Sequence, residues 1–399
     1  MANVRDEAIS TAVAAANRLT ARWAGTCDAS GTVLSGFGVW PLLAAIAEPA
    51  AGAARDELAQ AVGFPAQEAP AAANRLLDAL DQNPAVRTAL GLWTAASVPV
   101  KAEWIAQLPK LSHDVLDPAP QCAQADLDAW VQKETEGLLH HMPVQVDART
   151  LLVLASALTV RTAWEQPFRP SPLNVAGPWS GRRLSGLIRA TAVTDVSVAM
   201  CDEGPVTLVT VRGREQTDVV LALGEPGARS GHVLAAAALA CGPAAQLRAE
   251  PVDLDLELPG PGLAVTEVAA SDPAPTASVS TVAFTVSAHH DLLAHARLFG
   301  LGAASERSTG HFPGISDEVP LCVQAAAQDA TASFSAEGFV AAAVTAMAMM
   351  AGSAMRPRQV TAKHLTATFD RPFGFVALDR PTGLVLVCGW VAEPDEYPR

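Results

Sequence analysis

Residues 336–357 read AEGFVAAAVTAMAMMAGSAMRP. From Val340 to Ala351 the stretch has no charge, no glycine and no proline, and Thr345 is its only polar residue. Such a run can be a buried helix, a fully buried strand or a segment held outside the core. As a helix it falls short of the ~20 apolar residues that a bilayer span needs. Gly338 precedes it and tolerates dihedrals closed to other residues, so it can serve as a hinge. Gly352-Ser353 and Arg356-Pro357-Arg358 follow it and read as exposed loop. The side chains are small, with seven alanines from 341 to 354, and fifteen residues laid out as a strand reach ~50 Å. A free strand of this composition is an aggregation hazard. The chain must bury it or use it.

The rest of the chain is globular in composition: 399 residues, 50% hydrophobic, 17% charged, formal net charge −14. Acidic residues are scattered and no basic stripe exists, which argues against a nucleic-acid partner. Only four of the 27 basic residues are lysine and alanine abounds, the mark of a high-GC, prokaryotic-looking coding bias. Cys27, Cys122, Cys201, Cys241, Cys322 and Cys388 lie far apart with no CxxC. That excludes zinc and redox spacings and predicts buried reduced thiols. The amino terminus, with Arg5, Asp6 and Glu7 ahead of a weak apolar face, predicts an amphipathic helix and not a signal peptide, which favours the cytoplasm. No segment is apolar enough to cross a membrane as a helix.

Helical periodicity predicts helices over 7–24, 42–47, 55–62 (ending at Gly63), 73–80, 102–113, 126–141 and 291–302. Strands are expected over 89–100, 151–164 (apolar enough to be buried on both faces), 206–212 and 218–223. Two closing strands follow, PFGFVALD and GLVLVCGWVAEP, joined at Arg380-Pro381-Thr382-Gly383. VDLDLEL (252–258) alternates without a break and predicts a half-buried strand with Asp253, Asp255 and Glu257 facing water. Their in-line spacing does not suit a converging metal site. The chain is expected to be loop-like from 170 to 190. Helices and strands intermingle with no repeat and no linker, so one α+β domain is expected over residues 1–399.

Six motifs, in order, carry a resemblance. Gly52, Glu57-Leu58 and Val62-Gly63 sit on an early helix. Asp128, Trp130, Thr135 and Gly137 fit N-x-W-x-x-x-x-T-x-G. Trp164-Glu165-Gln166-Pro167-Phe168 fits W-x-x-P-F after the long buried strand. Phe312-Pro313-Gly314-Ile315-Ser316 is similar to F-S-G-I-S. Phe369-Asp370-Arg371-Pro372-Phe373-Gly374-Phe375 is similar to the strand around N-R-P-F, and Thr382-Gly383, Gly389 and Pro394 fit the ending. From about residue 30 onward the chain resembles the serpins.

The resemblance implies three β-sheets, eight to nine helices and an exposed reactive-centre loop near the carboxy terminus, here about 338–360. It implies a metastable monomer with no cofactor, whose partner is a serine protease held as a covalent acyl complex. After cleavage the loop enters the central sheet as a new strand and releases stored strain. The hinge would be Gly338, Phe339, Val340, Ala341, Ala342, Ala343, Val344 and Thr345. Counting from Gly338 and back from Pro357 places the reactive bond at Gly352-Ser353 or Ser353-Ala354. Small residues there suit an elastase-like or subtilisin-like protease, and Met350 or Met355 a chymotrypsin-like one.

The chain departs from the pattern at Phe339, where inhibitors carry a small residue. It departs again under the central sheet, where the polar cluster of inhibitors is matched by Trp40, Leu43, Ser156 and Gln328. The alternative is a non-inhibitory protein of the same fold, a small-molecule binder or a recruited enzyme. No GxSxG, HExxH or P-loop is present. His289, His290 and His295 beside Asp291 read as an ordinary helix start.

Overall fold

The computed structural model describes residues 2–108, 112–137, 139–142, 144–173, 177–242, 245–307, 309–340 and 360–397. Three sheets and eight α-helices make up the described residues. The seven-stranded sheet runs in the order Thr32–Leu34, Val385–Val391, Phe373–Asp379, Thr217–Gly224, Gly204–Arg212, Val196–Cys201, Ala249–Pro251. Its middle strands Val385–Val391, Phe373–Asp379 and Thr217–Gly224 are buried at every residue. Continuous apolar runs are what strands covered on both faces require. The turn between the two closing strands is set by Gly383 at φ 74° and by Asp379, whose Oδ2 accepts from Thr382 Oγ1 at 2.5 Å.

The helices Ala2–Ala24 and Gly36–Ala47 meet this sheet's core, and Ser230–Ala240 packs on Ala2–Ala24 and Phe373–Asp379. The pattern Phe312–Ser316 has a steric reason. Gly314 lies so close to Pro49 that a Cβ would stand 2.5 Å from the Pro49 Cα, and its N–H donates to Pro49 O at 3.0 Å.

The six-stranded sheet runs Phe284–Asp291, Ala327–Phe334, Gly338–Val340, Leu152–Ala163, Val86–Ala95, Ser112–Leu116. One face covers the main core. On the other lies the helix Pro120–Glu134, with a smaller cluster of its own that includes Trp93, Leu127, Val131, Met142, Val144, Val153 and Ala155. Asp128 and Gln124 fasten the returning chain to this helix. Asp128 Oδ1 accepts from Met142 N at 2.7 Å, and Gln124 Oε1 accepts from Val146 N at 3.0 Å. Desolvation pushes the Asp128 carboxyl up, but the hydrogen bonds from Met142, His141 and Gln124 outweigh it and hold the group below its ordinary range.

Several expectations are corrected. The helix expected over 102–113 stops at Gln107, two residues before Pro109, and Ser112–Leu116 is a strand. The helix expected over 126–141 is Pro120–Glu134. It opens on Pro120 at a first-turn position and ends because Glu136 and Gly137 take φ of 53° and 81°. The helix expected over 291–302 is a 3₁₀ turn, Leu292–His295, and a short helix, Ala296–Phe299, ended by Gly300 at φ 68°.

Of the stretch expected to be loop-like, residues 170–173 and 184–190 are strand, while 177–183 are turn and coil. Arg169–Leu173 and Leu184–Thr191 pair antiparallel in the five-stranded sheet, and Arg169–Leu173 is its edge, where prolines are tolerated. The 252–258 alternation forms no strand. The Ala249–Pro251 strand ends at Pro251, Asp253 Oδ1 turns the chain by accepting from Asp255 N at 2.8 Å, and Leu256 and Leu258 are 53% and 76% exposed. The strand expected to be buried on both faces, Leu152–Ala163, exposes Arg161 and Ala163 at its end.

All six cysteines are free thiols. Burial pushes Cys27 up to about 11 and Cys241 up to about 12, whereas Cys122 is exposed on the solvent side of its helix.

Candidate functional site

The strand Gly338–Val340 organises the candidate site. It follows Ala327–Phe334 through a tight turn at Ser335–Glu337. Ser335 N donates to Gly338 O at 2.9 Å, and the Ser335 hydroxyl accepts from the Glu337 and Gly338 amides at 3.3 Å each. The short strand then lies antiparallel to both neighbours. Ser333 and Phe334 face Val340 and Phe339 on one side, and Ala163, Thr162 and Arg161 face Gly338, Phe339 and Val340 on the other. Among the described residues the strands Ala327–Phe334 and Leu152–Ala163 are joined in the sheet only through these three residues.

Gly338 is needed here for a reason other than the expected one. Its φ is not in the left-handed region. A Cβ on it would stand 2.4 Å from Thr162 O, so the glycine permits close approach of two backbones, not an unusual dihedral.

The turn is held from above by Trp164–Phe168. Trp164 N donates to Glu337 O at 2.9 Å, Trp164 Nε1 to Ser335 O at 2.9 Å and Phe168 N to Ala336 O at 2.8 Å. The Trp164 and Phe168 rings pack on Phe334 with centroids 4.8 and 5.5 Å away. Arg189 backs this segment. Its guanidinium lies 4.9 Å over the Phe168 ring and donates to Gln166 O at 2.7 Å, and burial lowers its pKa against the opposing pull of Asp195 and Glu165. The W-x-x-P-F residues thus fasten the chain where Gly338–Val340 joins the sheet.

Phe339 points inward. It is 1% exposed, and its ring meets Phe375 of the seven-stranded sheet at 5.9 Å. Val340 turns the other way, toward a cavity on the outer side. Below Phe339 a narrow slot continues between the flanking strands, bordered by Ser156, Val160, Gln328 and Thr331 and floored by Ser35 and Gly38.

The polar group in this slot differs from the expected one. Trp40 is not part of it: its Nε1 donates to Val62 O at 2.9 Å. Leu43 is buried against the helix side of the sheet. Ser35 takes their place. Gln328 Oε1 accepts from Ser35 N at 2.8 Å, and Gln328 Nε2 donates to Ser35 O at 2.9 Å. The Ser35 hydroxyl donates to Leu386 O at 2.6 Å and accepts from Gly38 N. Ser156 lines the same slot. Ser35 was missed, although a serine directly before the apolar run Gly36–Ala47 is an N-cap signal.

Ala341, Ala342, Ala343, Val344, Thr345, Gly352, Ser353 and Ala354 lie outside the described residues. His289 and His290 stand in the strand Phe284–Asp291, not at a helix start. His289 Nδ1 meets Asp329 Oδ1 at 2.6 Å, and His290 Nε2 lies 2.9 Å from Val33 O with a pKa lowered by burial. No group of three metal-ligating side chains occurs among the described residues. The contact Ser278 Oγ–His364 Nε2, 2.9 Å, looks like a nucleophile and base, but His364 Nδ1 meets the hydroxyl of Thr276 at 2.8 Å and no carboxylate. It lacks the charge that would steady an imidazolium.

The comparisons with known proteins point one way. A family model described as Serpin (serine protease inhibitor) matches residues 11–176 and 271–394. Serpin-ZXA of rice, Oryza sativa subsp. japonica, is 32% identical over 145 residues, 32% of this chain and 36% of that protein. The chain spans about a third of the length of the curated rice relatives it matches. Among solved structures, native protease nexin-1 with heparin has the same fold, with a TM-score of 0.71 at 15% identity over 98% of this chain and 100% of that one. Human thyroxine-binding globulin complexed with thyroxine gives 0.70 at 16% identity over 97% of this chain and 99% of that one.

Proposed function

The chain belongs to the serpin (serine protease inhibitor) family, and from that premise we propose that it is a suicide inhibitor of a serine protease. The bait is the segment 338–360. The protease serine attacks the carbonyl at Gly352-Ser353 or Ser353-Ala354, the amide bond breaks, the new amine leaves with its proton and an acyl ester remains. Residues from Ala341 through Thr345 then continue the strand Gly338–Val340 down the slot. Each one satisfies backbone groups of Ala327–Phe334 and Leu152–Ala163, and the acylated protease is drawn along. The small residues at the bond favour an elastase-like or subtilisin-like target, and Met350 or Met355 would admit a chymotrypsin-like one.

The observation that supports this reading best is the placement of Gly338–Val340, paired on both sides above a slot in which no described residue joins the flanking strands. Phe339, a bulky residue for a hinge, is already buried on Phe375, so its ring need not enter the sheet after cleavage. The test is incubation with a panel of serine proteases. The expected product is a one-to-one adduct that survives SDS, with a released peptide starting at Ser353 or Ala354. Free turnover of a merely nicked chain by every protease would overturn the proposal.

A second reading is a non-inhibitory protein of this fold that binds a small molecule or has been recruited as an enzyme. It draws on the same side chain, because a ring anchored on Phe375 suits a strand that never needs to move. Its mark would be an unchanged melting temperature after clean cleavage between Ala348 and Arg358.

A further inference from the structure

Beside the turn Ser335–Glu337, on the outer side of the sheet, lies a cavity of about 680 Å³. That is within the ~300–1,000 Å³ of small-molecule sites. Its apolar wall includes Pro170, Leu187, Ala283, Ala336, Val340 and the chain's single tyrosine, Tyr397. Two carboxylates line it, Glu215 and Glu337. Among the described residues each accepts one side-chain hydrogen bond, Glu215 from Thr162 Oγ1 at 2.8 Å and Glu337 from Ser335 Oγ at 3.2 Å. Both keep acceptor capacity.

The one guanidinium among the residues lining the cavity, Arg161, is occupied elsewhere, and that of Arg183 covers one face of the wall residue Tyr397. Arg161 donates to Glu136 Oε2 at 2.6 Å, and Arg183 lies 5.1 Å from the Tyr397 ring centroid. The cavity therefore offers an apolar body with a negative end.

We propose that this cavity binds a small organic monocation, an amine carried on an aromatic or aliphatic body. The ammonium sits between Glu215 and Glu337, and the body lies against Leu187, Ala283 and Tyr397. Such a ligand touches Val340 and the turn Ser335–Glu337 only while the strand Gly338–Val340 is paired, so binding also favours that pairing. The inference goes beyond inhibition and does not depend on it.

The test uses the intact chain without any protease. Calorimetry compares tryptamine with tryptophol, which keeps the ring and exchanges the ammonium for a hydroxyl. Tryptamine is expected to bind one-to-one, and tryptophol about tenfold or more weakly, as for loss of a charge-assisted contact. The pair Glu215→Gln and Glu337→Gln should remove that preference and leave tryptophol binding unchanged. A second measurement needs no substitution: tryptamine should protect Tyr397 from nitration, read by peptide mass. Equal affinity for the two probes, no binding of either at millimolar concentration, or binding that leaves Tyr397 nitration unaltered would overturn the assignment.

Discussion

The side chain of Gln328 closes both backbone groups of Ser35, accepting from its N–H at 2.8 Å and donating to its carbonyl at 2.9 Å. Both residues are buried. A side chain thus imitates a strand partner between the floor of the slot and one of its walls, and it ties the six-stranded sheet to the N-cap of the helix Gly36–Ala47.

Gln328→Leu should leave the buried Ser35 amide without a partner and destabilise the protein by about 1–3 kcal/mol. Gln328→Glu keeps the acceptor for that amide but sets a carboxylate against the Ser35 carbonyl oxygen, so it should cost more at neutral pH than in acid. Denaturant midpoints of the three proteins at two pH values measure this. A Gln328→Leu protein as stable as the parent would show that the tie carries no weight.

Gly338→Ala places a methyl 2.4 Å from Thr162 O. The expected result is local: Gly338–Val340 leaves the sheet while the closing strands Phe373–Asp379 and Val385–Val391 hold. Amide exchange over 335–340 should quicken about tenfold or more, with the closing strands unaffected. Unchanged exchange in 335–340 would mean that the neighbouring strand yields instead.

Phe339 faces the core and Val340 faces out, so a strand continuing in register turns Ala341, Ala343 and Thr345 inward. Under the inhibitor reading, Thr345→Arg would bury an unpaired charge only after insertion, at a cost of ~3–5 kcal/mol. The variant should fold normally, be cut as a substrate and lose the rise in melting temperature that cleavage between Ala348 and Arg358 gives the parent. Normal trapping of protease by Thr345→Arg would rule out insertion past residue 345.

Asp395 gives a pH dependence of known sign. Burial raises its carboxyl above the ordinary 3.8, against the lowering effect of the hydrogen bond from Thr285 N. The folded protein therefore holds this proton more tightly than the unfolded chain does, and stability falls as pH rises from about 3.8 through the raised folded value. Asp395→Asn keeps the acceptor for Thr285 N and carries no charge. It should be more stable than the parent at pH 7, with the gain shrinking as pH falls through the raised folded value and gone by about 3.8. A gain that persists undiminished in acid would place its origin elsewhere.

The parts of the fold that were legible in the sequence are those whose burial is two-sided or whose caps are strong. Phe373–Asp379 and Val385–Val391 are apolar throughout, and the helix Gly52–Val62 ends on Gly63 in the left-handed conformation. Leu263–Ala270 and Thr276–Val282, no shorter than the closing strands, went unseen because they are partly exposed and rich in Ala, Ser and Thr. Arg169–Leu173 was hidden by its prolines. At 252–258 alternation was outweighed by Pro251 and the Asp253 turn. At the candidate site, Gly338 was legible by type but not by cause, since the nearness of Thr162 comes from strand pairing far along the chain. Ser35 was missed because its partner, Gln328, lies 293 residues away.

The three residues Gly338–Val340 also change the kinetics of any further pairing in the slot. Starting a new strand between two others is the hard step, because several dihedrals must be fixed before the first hydrogen bonds repay them. Here that nucleus forms when the protein folds. Chain arriving at Ala341 would only propagate it, and would do so in a register already chosen, since a slip of one residue would have to pull Phe339 out of the core. The rate of such a step would then depend on how quickly the following residues are delivered to the slot and not on how often they find it.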